Sequence, residues 1–91
     1  MAGIVAVIAR VLPESAEVSF VELKEQASEA LGENGAKNIS FEEKPFAFGL
    51  KALFVKFAWP EEQGTDEIEE LLSEIEGVSS VSIEDYRRAF G

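Results

Sequence analysis

Carboxylates dominate the reactive groups of this chain. Its 91 residues carry 18 acidic against 8 basic side chains, a formal net charge of −10. There is no histidine and no cysteine. That removes thiolate nucleophiles, disulfides, Cys/His metal sites and histidine proton shuttles together. Ser73, Ser79, Ser80 and Ser82 therefore have no imidazole to activate them. A catalytic carboxylate pair needs a shared cleft and environments that push its two pKa values apart. Here most carboxylates fall on predicted exposed helix faces. Neither GxxxxGK[ST] nor GxGxxG occurs, so no phosphate cradle is predicted. An oxygen-ligated Mg²⁺ or Ca²⁺ on the acidic residues would lack the alternating ligand spacing of an EF-hand loop. No catalytic residue, no metal ligand and no cofactor is assigned.

Three local features remain. Glu61, Glu62, Asp66, Glu67, Glu69, Glu70, Glu74 and Glu76 accumulate in one short stretch with no basic residue among them. Such a run reads as a solvated helix face or as a docking surface for a basic partner. In Phe46-Ala47-Phe48-Gly49, two aromatics stand beside a glycine in a loop. Either both rings tuck under the sheet edge, or one projects as an interface anchor. Arg87-Arg88 end an otherwise acidic chain, as a charge-balancing tail or a cationic finger beside the apolar tip Ala89-Phe90-Gly91.

The charge also sets partners. Phosphate binding draws on Lys and Arg, so direct nucleic-acid binding is not expected, nor is an anionic membrane. The apolar start, Ile4 to Ala9, is cut by Arg10 before it could span a bilayer, and no basic segment precedes it. A cytoplasmic protein, monomeric when free, is expected.

The elements that hold these features follow from periodicity. Residues 3–12 alternate as a strand that Pro13-Glu14-Ser15 closes. Ser19 and Glu22 form a capping box, flanked by Val18 and Leu23 as a hydrophobic staple. Phe20, Leu23, Ala27 and Leu31 then keep helical spacing, and Gly32 is the expected stop. Residues 36–44 form a weaker strand ended by Pro45. Residues 50–59 form the strongest: Leu53, Val55, Phe57 and Trp59 share one face, Ala52, Phe54, Lys56 and Ala58 the other. Thr65 or Asp66 is the expected cap of a second helix with Ile68, Leu71, Leu72 and Ile75 as its apolar stripe. Gly77 is its expected C′ residue, and Val78 to Tyr86 form the last strand, with Val81 and Ile83 inward.

The order strand, helix, strand, strand, helix, strand predicts a single α+β domain over residues 1–91. It is a ferredoxin-like βαββαβ sandwich: a four-stranded antiparallel sheet with both helices on one face and right-handed crossovers. The other face, with Ile4, Ile8 and Phe54, stays open. It is ordinary sheet surface covered by the Arg10 and Lys56 stems, or a surface for self-association or docking.

In this order the features resemble the guanine nucleotide exchange domain of the translation elongation factor 1-beta family. The closest stretch is Pro45 to Leu53, similar to the family's aromatic-glycine loop entering its third strand. Gly64-Thr65-Asp66 and Val11-Leu12-Pro13-Glu14-Ser15 resemble flanking segments, the latter of archaeal members. The resemblance implies a factor that binds the GDP-bound and nucleotide-free GTPase elongation factor 1-alpha, speeds GDP release and allows GTP reloading for aminoacyl-tRNA delivery. It implies no covalent chemistry by the factor itself. It implies that Phe48, with Gly49, wedges into the partner near the nucleotide site. It also places Arg88, beside Arg87, where the family has a lysine that reaches toward the partner's Mg²⁺ site. Arginine is planar and bulkier than lysine, and three residues follow it here. Docking through one end of the domain is the resulting expectation. The βαββαβ layout also suits an ACT-like small-molecule-binding regulatory domain, since a fold alone does not select a function.

Overall fold

A computed structural model describes residues 3–47 and 49–88 of the chain. Six elements follow the predicted order: β1 (Ile4–Pro13), α1 (Phe20–Glu33), β2 (Lys37–Pro45), β3 (Lys51–Pro60), α2 (Thr65–Ser73) and β4 (Val78–Arg88). The strands form one antiparallel sheet in the order β2-β3-β1-β4. The α+β ferredoxin-like fold is therefore as expected.

Alternation selects the core. Val5, Val7, Ala9 and Val11 of β1 lie across from Leu53, Val55, Phe57 and Trp59 of β3, and all are buried. Leu23, Ala27 and Leu31 of α1, with Ile68 and Leu72 of α2, bury against that same face. Phe57 and Trp59 meet edge to face, their ring centroids 5.8 Å apart. A buried indole N–H needs an acceptor, and Trp59 donates Nε1–H to the Gln63 carbonyl at 3.2 Å. Gln63 in turn donates from Nε2 to the Asn34 carbonyl at 2.8 Å. This chain of bonds ties the end of β3 to the end of α1.

Ser19 caps α1 as expected, its Oγ accepting from the Glu22 N–H at 3.4 Å. Three boundary expectations are corrected. Gly32 does not stop α1; the helix runs to Glu33 and closes through Gly35 N–H to Gly32 O and Ala36 N–H to Leu31 O. Neither Thr65 nor Asp66 caps α2: Gly64 holds the cap position and offers no side-chain bond. Gly77 is not the C′ residue, because α2 ends at Ser73 with Glu74 as its cap. Ile75 thus reaches the core from a turn rather than from the helix. Three register shifts interrupt the alternation, one of them between Leu12 and Pro13, where β4 skips Ser79. A second is in β2 between Lys37 and Ser40, where Asn38 has φ +55°, and the third is in β4 opposite Ile8 and Ala9.

Candidate functional site

The β2–β3 connection is built from its backbone. Phe46 N–H donates to Leu50 O at 2.8 Å, and Leu50 N–H donates to Ala47 O at 3.0 Å. Gly49, the third residue of this turn, has φ +75°, a conformation that a Cβ penalises. The glycine is therefore needed to close the loop, whatever the loop then contacts. Phe48 lies outside the described residues.

Phe46 is half exposed and does not enter the main core. The Arg10 guanidinium stands over its ring, 5.2 Å from the centroid. Arg10 comes from β1, on the face away from the helices, and its Nη1 is 3.8 Å from the Glu84 carboxylate at the β4 bulge. Beside it, Lys44 Nζ sits 4.9 Å from the ring centroid of Phe54. Each such contact is worth about 0.5–1 kcal/mol at an exposed site. They hold the base of the loop against the open sheet face. Ile8 and Phe54 on that face are half-buried and Ile4 is 40% exposed, so it is covered only in part.

The C-terminal arginines are not a free tail. β4 runs two residues beyond the expected Tyr86, with Arg87 opposite Ala6 and Arg88 opposite Val5. Strand alternation sends them to opposite faces. Arg87 is on the open face and pairs with Asp85, Nε to Oδ2 3.0 Å. Arg88 is on the helix side and pairs with Glu61, the residue just after β3. Ala89, Phe90 and Gly91 lie outside the described residues.

The expectation of a single docking end is corrected. The loop leads into β3, whose Leu53 pairs with Val11 near the end of β1, while Arg87 and Arg88 pair at the start of β1. The step from Val5 to Val11, at about 3.4 Å per residue, separates Leu53 from Arg88 by about 20 Å, and Gly49 lies farther out still. Nor do the described acids form a compact cluster: no group of three or more potential ligands is near enough to hold a metal ion among the described residues. The Glu43 carboxyl is held below the ordinary glutamate range. A hydrogen bond from Lys24, at 2.8 Å, lowers it, with smaller help from the Lys51 charge.

Sequence reasoning did not pick out Glu61, Glu84 or Asp85 as partners of the basic residues. Asp85 was within reach, two positions before Arg87 on the same strand. Glu61 and Glu84 required the register and the bulge, which periodicity does not reveal.

Residues 6–89, nearly the whole described sheet with both its ends, match the model of the EF-1 guanine nucleotide exchange domain. The chain belongs to that family. Its relatives are full-length matches. Elongation factor 1-beta of Desulfurococcus amylolyticus is 45% identical over 82 residues, covering 88% of this chain and 90% of the relative. Elongation factor 1-beta of Methanocella arvoryzae is 44% identical over 91 residues, covering 99% and 100%. That of Methanothermobacter thermautotrophicus is 43% identical, covering 97% and 98%. The function of this exchange domain is guanine nucleotide exchange in translation elongation, and the ACT-like alternative is not supported. No helix among the described residues is long and apolar enough to cross a membrane.

Proposed function

We propose that this exchange domain binds GDP-bound elongation factor 1-alpha, stabilises its nucleotide-free form and so speeds GDP release, with no covalent step of its own. The observation that carries the proposal is the family match through 6–89, which spans Gly49 at one end of the sheet and Arg87 and Arg88 at the other. An exchange factor lowers the barrier to nucleotide departure without shifting the balance of GDP against GTP. Two contacts more than about 20 Å apart suit that task, because they hold two regions of the GTPase in a fixed relation while the nucleotide leaves. In this reading Phe48 and Gly49 form the docking element of the loop end. Arg87 and Arg88 form the cationic element, acting near the partner's phosphates and Mg²⁺. Removing that cation leaves nucleotide phosphates poorly neutralised. The domain works as a monomer in the cytoplasm and makes no direct contact with nucleic acid.

The test is release of labelled GDP from the cognate elongation factor 1-alpha. Acceleration that saturates with exchange-domain concentration is expected. A rate equal to the spontaneous one across the full concentration range would remove the proposal.

A further inference from the structure

The two helices leave a groove of about 310 Å³ between them, on the side of the sandwich away from the open sheet face. Its floor is apolar: Ala30 of α1 with Leu71 and Ile75 of the α2 segment. Its rim is acidic: Glu29, Glu33 and Glu74, all exposed. On the α1 side the small Ala30 leaves the gap that a longer side chain would close. Leu71 and Ile75 consequently remain only half-buried. Its volume is at the low end for an enclosed small-molecule site, and it is open along its length, so it suits part of a polypeptide.

The charges are hard to explain from the fold alone. None of the ion pairs among the described residues includes a rim glutamate. Neither helix has a basic residue in its last turn, and Glu33 and Glu74 stand where the helix dipoles are already negative. The last carbonyls are capped, Ala30 O by Asn34 Nδ2–H and Glu70 O by Ser73 Oγ–H, but no cation among the described residues pairs with either glutamate. Arg10, Lys44, Lys56 and Arg87 lie on the opposite face of the sheet and cannot neutralise them.

We propose that this groove docks a basic, amphipathic segment of a partner protein. One aliphatic side chain of the segment seats on Ala30, Leu71 and Ile75, while its Lys or Arg residues pair with Glu29, Glu33 and Glu74. The apolar floor supplies affinity and position; the acidic rim supplies attraction and rejects acidic segments. The site is separate from the loop and arginine ends, and does not depend on how they act.

The intact chain, isotope-labelled, can be titrated with a helical peptide built from Lys and Leu, using an oligolysine of equal charge as control. Shifts concentrated at Ala30, Leu71 and Ile75, with binding at least several-fold tighter than oligolysine, are expected. The triple variant Glu29→Gln, Glu33→Gln, Glu74→Gln should weaken the peptide about tenfold, as three surface ion pairs would. Leu71→Ala should weaken the Lys/Leu peptide but not oligolysine, with the amide spectrum reporting an intact fold. Equal binding of the two peptides, or shifts spread evenly to Asp66 and Glu67, would overturn the proposal. So would a peptide-free dimer in sedimentation whose interface covers Leu71 and Ile75, since a second copy would then be the occupant.

Discussion

If the two ends of the sheet act on separate regions of elongation factor 1-alpha, their losses must be independent. The perturbations are Phe48→Ala at the loop and the pair Arg87→Ala, Arg88→Ala at the end of β4. Leu53 and Arg88 stand about 20 Å apart along β1, from six residues at about 3.4 Å each, and Gly49 lies farther out still. That is well over the 7–10 Å within which mutations usually couple. It is also more than twice the screening length of about 8 Å at physiological salt, so the arginines exert little Coulomb force on the loop. Each change alone is expected to slow stimulated GDP release about tenfold, roughly 1.4 kcal/mol. The combination should then slow it about a hundredfold, within an error of 0.3–0.5 kcal/mol, about a factor of two. The assay is fluorescent-GDP release at subsaturating exchange domain, where the rate reports the transition state relative to the free proteins. A combined loss no greater than the larger single loss would refute the reasoning. It would mean that the two ends serve one contact, which the strand register of the free domain forbids without refolding.

Three further outcomes test the fold and its electrostatics. Phe57 is buried at 2% exposure against Trp59, so Phe57→Ala should destabilise the domain by about 3–5 kcal/mol, read from Trp59 fluorescence during denaturant unfolding. Gly77 has φ +95°, and a Cβ there would approach Val18 Cγ1 at 3.0 Å. Gly77→Ala should therefore cost about 1–3 kcal/mol in the same measurement. Glu43 titrates below the ordinary glutamate range because Lys24 bonds it, so its pairing stabilises the fold above the unfolded pKa. That contribution is lost as pH falls through the lower folded value. Carbon-detected NMR should show Glu43 titrating below the ordinary glutamate range, and Lys24→Met should raise it toward that range.

Much of the architecture was legible because each element keeps one period. Val5 to Val11 and Leu53 to Trp59 alternate without interruption, and both lines are buried as the pattern requires. The helix boundaries were less legible at their ends. Gly32 looks like a stop, but Glu33 and Asn34 keep helical bonding until Gly35 can turn the chain. The bulge at Asn38 was invisible, since Asn and Ser in a weak strand leave no periodic trace. Of the site, residue types were legible and geometry was not. Phe46 could be seen as an odd aromatic, but its seat beneath Arg10 depends on the loop folding toward the open face.

The placement of the two ends is a different matter, because it follows from the strand order alone. In this sheet β1 is flanked by β3 and β4, and both run against it. The start of β3 must therefore lie beside the end of β1, and the end of β4 beside its start. A loop leading into β3 and a pair of residues closing β4 cannot meet in any fully antiparallel βαββαβ sheet. Alternation adds a second constraint within the arginine pair. Arg87 faces the open side with Asp85, and Arg88 faces the helix side with Glu61. A partner approaching one face meets one guanidinium, and to use Arg88 it must compete with Glu61 for the charge. The two arginines are thus separable by chemistry as well as by position. Glu61→Gln should raise exchange if Arg88 is the residue used, and leave it unchanged if the contact is made by Arg87.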